Sequence, residues 1–121
     1  MCLVEDGLLG LNRPVQWYIP EFVGEGKEQV CVHHLLTHTS GFSYERWSDD
    51  VWRCHQALGI PANSTCKLAM LRSPLMFDPG ERWEYGIGID WAGRMLEIAS
   101  GRKLGEWLRD EIFDPLGMRD S

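Results

Sequence analysis

Hydrophobic positions along this chain recur mostly at helical spacing and seldom alternate. The clearest case is DWAGRMLEIASG, residues 90–101, where Trp91, Met95, Ile98 and Ala99 fall on one face. Asp90 stands where an N-cap is expected, and Gly101 where a helix stops. KLGEWLRDEIFDPLG continues it as a second amphipathic helix, which must end before Pro115. SYERWSDDVWRCHQALG, residues 43–59, carries Trp47, Val51, Trp52 and Leu58 at the same spacing, with Ser43 or Ser48 as its cap.

The other stretches are shorter. MCLVEDG reads as the last turns of a helix stopped by a left-handed Gly7. LGLNRPVQWYIPEF is a turn and extended connector, broken at Pro14 and Pro20. VCVHHLLTHTSG opens with alternating β-branched residues and goes on as one short helix ending near Gly41. NSTCKLAMLRSP, residues 63–74, predicts another, capped by Asn63 or Ser64 and closed before Pro74. FDPGERWEY is a Pro-Gly turn leading into a brief extended piece. There is no repeat, no low-complexity tract and no dividing linker, so the expectation is one mostly helical unit.

Composition narrows the function classes. The 121 residues carry a net charge of −6, which argues against the basic face that nucleic-acid binding needs. No apolar run approaches the roughly 20 residues of a membrane span. The N-terminus lacks the basic and apolar regions of a signal peptide, which leans the expected location toward the cytoplasm. Six tryptophans need large partners to bury against and hint at a piece of a larger body. Cys2, Cys31, Cys54 and Cys66 show no paired spacing, so free, mostly buried thiols are expected. Asn63-Ser64-Thr65 is a glycosylation sequon, to which no role is given.

Three kinds of site chemistry are conceivable. His34 and His38 have the spacing of a helical zinc pair, but Leu35 stands where a zinc protease carries its glutamate, and no third ligand stands out. The plainer reading gives His38 a hydrogen bond to the HTSG turn. A zinc module built from Cys31, His33, His34 and His38 is the weakest alternative. Ser64-Thr65-Cys66-Lys67 and Ser100-Gly101-Arg102-Lys103 both match the S-x-x-K pattern of acyl-transfer nucleophiles. Gly101 breaks the turn that would place Lys103 under Ser100, and Ser64 reads first as an N-cap. Tyr85, among Trp83 and Trp91, is either a packed ring or a phenol that moves protons. For the second role near neutral pH it needs a cation close by.

A resemblance shifts that balance. LVEDGLLGLNRPVQWYIPEF, then VHHLLTHTSGF, then FDPGERWEYGIGIDWAGRMLEIASGRKLGEWLRDEIFDPLGMRDS stand in the order and spacing of the serine β-lactamase-related proteins. These include class C β-lactamases, penicillin-binding-protein-like esterases and lovastatin-type transesterases. Residues 43–74 are the least family-like. The resemblance implies the helical portion of an α/β, β-lactamase/transpeptidase-like fold with its central sheet largely missing. It implies Tyr85 as the catalytic tyrosine of the Y-x-N element, which bonds the nucleophilic serine and its lysine and passes a proton to the leaving group. Gly86 and Ile87 are then the substrate-binding neighbours. Ile87 departs from the usual asparagine and removes an amide that would contact a substrate carbonyl. Y-G-x-x-x-D-W-A-G looks more like the esterase and transesterase branch.

In the resembled family the S-x-x-K lies just upstream of the segment matching MCLVEDG, and a further cleft strand follows well after the segment matching Ser121. The expectation is therefore a fragment of a serine hydrolase or acyltransferase that is inactive alone. Its parent would act on a small-molecule acyl ester or amide, with no cofactor, metal, nucleic acid or membrane partner. Helix faces that normally meet the sheet would be exposed and prone to self-association. The alternative is a non-catalytic helical interaction module that presents Trp47, Trp52 and Leu58.

Overall fold

The computed structural model describes residues 1–120. Five short α-helices order the chain: α1 (Cys2–Glu5), α2 (Val32–Leu36), α3 (Asp49–Leu58), α4 (Gly88–Ser100) and α5 (Leu104–Leu108). No strand forms among the described residues; one isolated antiparallel bridge joins Pro14 to Cys31. This is the mostly helical architecture the pattern predicts.

α4 is the longest helix and the organising one. Trp91 and Met95 are buried on its inner face, while Ile98 is more than a third exposed. It begins at Gly88, two residues before the expected start, so Asp90 lies in the first turn instead of at the cap. Gly101, at φ 69°, ends it as expected. Glu97 of α4 then accepts the Leu104 N–H at 3.1 Å and so caps α5 from outside. α5 runs on into a wide turn over Arg109–Phe113 and stops before Pro115. Arg102 ties this end together through Asp110 and, at 3.0 Å, Glu111.

α3 is shorter than its hydrophobic spacing suggests. It starts at Asp49, where Ser48 Oγ accepts the Val51 N–H at 3.4 Å, and stops at Gly59 in the left-handed region. Ser43 is not its cap; it is buried in the loop six residues before the helix, with no partner for its hydroxyl among the described residues. Only Val51 and His55 face inward. Trp47, Trp52 and Leu58 are all well exposed.

Two expected helices are corrected. α2 ends at Leu36 and does not run toward Gly41. The Thr37 hydroxyl donates to the His33 carbonyl at 2.8 Å, His38 turns left-handed at φ 56°, and the Thr39 N–H returns to the His34 carbonyl at 3.0 Å. Residues 63–74 form two 3-10 turns, Asn63–Thr65 and Leu68–Arg72, and not one helix. Cys66 separates them at φ 51°, and neither Asn63 nor Ser64 acts as a side-chain cap. The thiols are free, but none is buried: three are half-buried and Cys66 is exposed.

The core gathers Val15, Ile19, Phe22, Leu35, Phe42, Ile87, Trp91 and Met95 with their neighbours. Phe22 sits edge-on to Trp91 at 4.8 Å and to Phe42 at 6.0 Å between ring centroids. Rings of this size each contribute about 1.5–3 kcal/mol on full burial. Loops as well as helices thus contribute to the core, since Phe22 and Phe42 both lie outside the helices.

Candidate active site

Tyr85 stands at the end of the extended piece that follows the Pro-Gly turn. Two backbone hydrogen bonds clamp that piece to the HTSG turn: Gly80 N–H to the Thr39 carbonyl at 2.8 Å, and Glu84 N–H to the His38 carbonyl at 2.9 Å. The next residue closes the clamp. A Cβ on Gly86 would lie 2.4 Å from the Phe42 carbonyl oxygen, so only glycine lets these two backbones touch.

The Tyr85 ring is held between two others. His38 lies at 4.8 Å and Tyr44 at 5.3 Å between centroids, both tilted. The ring is still 46% exposed, so it is shelved and not buried. Tyr44 is fixed from behind: its hydroxyl donates to Asp90 Oδ2 at 3.1 Å. Burial, then the Asp90 charge and hydrogen bond, push the Tyr44 phenol well above the ordinary tyrosine value. Tyr44 is therefore locked as a neutral donor. Of the two neighbouring phenols, Tyr85 is the one left open to solvent.

Tyr85 opens onto a cavity of about 270 Å³ shared with Tyr44, Glu45, Arg46, Trp47 and Ser64. Glu45 helps to build its wall by accepting the Asn63 N–H at 2.9 Å. Ser64 thus comes to the same cavity as Tyr85, but among the described residues no hydrogen bond joins it to Tyr85 or Lys67. Lys67 lines a different cavity, of about 490 Å³, with Asp90 and Arg94. Ser100 Oγ accepts the Arg102 N–H at 3.3 Å, a local turn contact remote from Tyr85. Neither S-x-x-K match assembles a nucleophile, a base and the phenol.

Two expected substrate neighbours sit differently from their sequence reading. Ile87 is fully buried in the core, so its side chain packs inward and does not face the cavity. Gly86 is buried against Phe42 and Ser43; its part is to set the backbone on which Tyr85 stands.

The histidines do not form a zinc pair. His34 Nδ1 accepts the Cys31 N–H at 3.1 Å, and burial and then the adjacent His33 push its pKa down. His33 Nδ1 meets the Leu11 carbonyl at 3.0 Å. His38 lies beyond the end of α2, so the i, i+4 geometry is lost. Nor does its Nδ1 bond the HTSG backbone as expected: it is buried without a partner among the described residues, and only the His38 carbonyl is engaged, accepting the Glu84 N–H. Among the described residues no group of three or more His, Cys, Asp or Glu is placed to hold a metal.

Sequence reasoning passed over Tyr44 altogether and took Asp90 for a helix cap. Nothing local signals their bond, which spans 46 positions.

Comparison with known proteins gives a consistent set of matches. The family model described as beta-lactamase matches residues 1–121. Lovastatin esterase of Penicillium rubens is 35% identical over 98% of this chain and 34% of its own length. Esterase EstB of Burkholderia gladioli is 37% identical over 98% of the chain and 33% of its own length. A solved structure of a simvastatin synthase mutant from Aspergillus terreus superposes with a TM-score of 0.79 at 34% identity, covering 98% of this chain and 31% of that one. The chain thus spans about a third of the length of the curated relatives it matches.

Proposed function

We propose, from the premise that the chain belongs to the beta-lactamase family, that it is the tyrosine-bearing helical segment of a serine hydrolase or acyltransferase. The parent activity is transfer of an acyl group from a small-molecule ester or amide through an acyl-serine. Tyr85 is its catalytic phenol, which takes the proton of the attacking hydroxyl and returns one to the leaving group. The carrying observation is the placement of Tyr85: half-exposed, shelved between His38 and Tyr44, and open to a cavity.

Such a role needs a fixed ring and a free hydroxyl together. A phenol with an ordinary value near 10 is a poor base unless a cation stands close to it. Acyl transfer also needs a nucleophile within hydrogen-bond reach. Arg46 and Ser64 line the same cavity, but among the described residues no hydrogen bond joins Tyr85 to either, so the chain by itself is proposed to be inactive. Two esterases among the relatives, by their names, support an ester as the substrate class.

The test is a graft. Residues 1–121 replace the matching third of Esterase EstB, and hydrolysis of p-nitrophenyl butyrate is measured on the folded chimera. Tyr85→Phe is expected to lower kcat about 10²- to 10⁴-fold, the usual range for losing a proton-transfer group. A folded, active chimera indifferent to Tyr85→Phe refutes the assignment. The isolated chain is expected to turn over this ester no faster than its own Tyr85→Phe variant.

A second reading rests on the exposure of Trp47, Trp52 and Leu58 around α3. Self-association through this face would show as a dimer in size-exclusion chromatography that Trp52→Ser returns to monomer. A clean monomer at high concentration excludes it.

A further inference from the structure

Lys27 is only 4% exposed, which is rare for a lysine unless its charge is paired. It belongs to the 3-10 turn Lys27–Gln29, which packs onto the core. Its ammonium lies 5.3 Å from the Phe42 ring centroid, 5.5 Å from Phe22 and 6.0 Å from Trp91. Three ring faces favour a cation there. Yet among the described residues no carboxylate comes within salt-bridge distance of it, and no acceptor bonds it. Burial pushes its pKa down, the response of a cation without a counter-charge.

A second unanswered donor sits beside it. The Trp91 indole N–H is buried with no acceptor among the described residues, although buried indoles usually find one. A third is Arg72, exposed and in no ion pair among the described residues. All three line one cavity of about 470 Å³, between the Glu21–Val23 loop, the Leu68–Arg72 turn and α4. Its only carboxylate, Glu21, is engaged by Arg94 at 3.7 Å. The remaining walls are Val23, Leu68 and Leu71. A positive, largely apolar cavity is therefore built into a chain whose net charge is −6. Lys27 and Arg72 also border a neighbouring cavity that carries Glu25 and Asp78, but neither acid reaches them.

We propose that this cavity binds a carboxylate with an apolar body. The carboxylate accepts hydrogen bonds from Lys27 and Arg72, and the apolar part lies on Val23, Leu68, Leu71 and the edge of the Trp91 ring. The volume is in the range of small-molecule sites. A strongly hydrated inorganic anion gains nothing from these walls, whereas an aliphatic acid satisfies both halves. The site shares no lining residue with the cavity beside Tyr85, so it stands or falls independently of the acyl-transfer reading.

The experiment is an NMR titration of the 13C,15N-labelled chain with hexanoate, methyl hexanoate and inorganic phosphate. The Trp91 indole resonance, assigned by its loss in Trp91→Phe, and the Lys27 Cε resonance report the site. Hexanoate at about millimolar concentration is expected to shift both, and Lys27→Met and Arg72→Gln each to weaken it about tenfold. Arg72 is exposed, so its variant decides the matter even if Lys27→Met fails to fold. Equal shifts with methyl hexanoate would reveal an apolar groove without anion recognition, and equal shifts with phosphate a generic anion effect. Either result overturns the proposal, as does unchanged hexanoate binding by Arg72→Gln or no shift with any of the three.

Discussion

Replacing Gly86 by alanine tests the clamp on which the Tyr85 geometry depends. The added Cβ would lie 2.4 Å from the Phe42 carbonyl oxygen, 2.6 Å from its carbon and 2.8 Å from the Ser43 nitrogen. All three are backbone atoms, so no side chain can rotate away. Ordinary contact begins at 3.4 Å, which requires the two segments to part by about 1 Å. Phe42 and Ile87 flank the contact and are 1% and 0% exposed, so the displacement runs directly into the core. Overpacking of this kind costs about 1–3 kcal/mol, and the rigidity of the partners puts Gly86→Ala at the upper end. Thermal or urea unfolding should read that loss as a fall of about 10 °C in Tm. Gly105→Ala is the control: the same methyl, with nothing within 4 Å, inside α5, where it should stabilise by up to about 1 kcal/mol. The functional consequence follows from the same displacement. In the Esterase EstB graft, moving the phenol by about 1 Å should cost on the order of 100-fold in activity. Unfolding of Gly86→Ala indistinguishable from the parent chain would show that the segments are not in contact, and the account of how Tyr85 is held would fail.

Three further outcomes follow from the same structure. His55 is buried with its Nε2 2.7 Å from Ser73 Oγ, and burial pushes its pKa below the ordinary histidine value, with Glu45 opposing more weakly. The unfolded chain therefore takes up this proton first: the contribution is full above about pH 6.5 and is lost as pH falls toward the folded value. Urea titrations at pH 7.5 and 5 should show a drop that His55→Gln lessens; an identical drop in both would place the acid sensitivity elsewhere. Asp90→Asn should let the Tyr44 phenol titrate nearer its ordinary value, because it removes the charge that adds to burial in holding the proton on. Ring resonances followed to high pH would report it, and an unmoved Tyr44 midpoint would deny that Asp90 matters. Glu97 has its carboxyl held below the usual range, first by the Leu104 N–H it accepts and then by Lys103 and Arg94 despite opposing desolvation. Its contribution is present above the unfolded carboxylate value and lost as pH falls through the folded one. Glu97→Gln should weaken α5 by about 1 kcal/mol or less, read as faster amide exchange at Leu104–Leu108, and unchanged exchange would dismiss the cap.

The parts of this molecule that were legible in sequence are those whose rule is local. The Trp91–Met95 face of α4, the stops at Gly7, Gly59 and Gly101, and the Ser48 cap each depend on residues within one or two turns. What went unread depends on contacts between segments far apart. α2 ends early because His38, not a glycine, takes the left-handed position, and what holds it there is the 84–38 backbone bond. A helix stop made by histidine has no composition signal, since the usual marker is glycine or asparagine. The family resemblance, through its Y-x-N element, implies that Ile87 faces substrate, but the 84–88 segment has no periodicity from which to tell its inner from its outer side. The close approach of Gly86 to Phe42 settles that orientation, sending Ile87 inward and leaving Tyr85 open. The same contact explains why the phenol can be half-exposed and still fixed. Its backbone is locked by Gly86 and Glu84, its ring by His38 and Tyr44, and Tyr44 in turn by Asp90 at the start of the principal helix. The site is thus coupled to α4 through the Tyr44–Asp90 bond, so a change that rotates the first turn of α4 should move Tyr85 even if it touches neither ring.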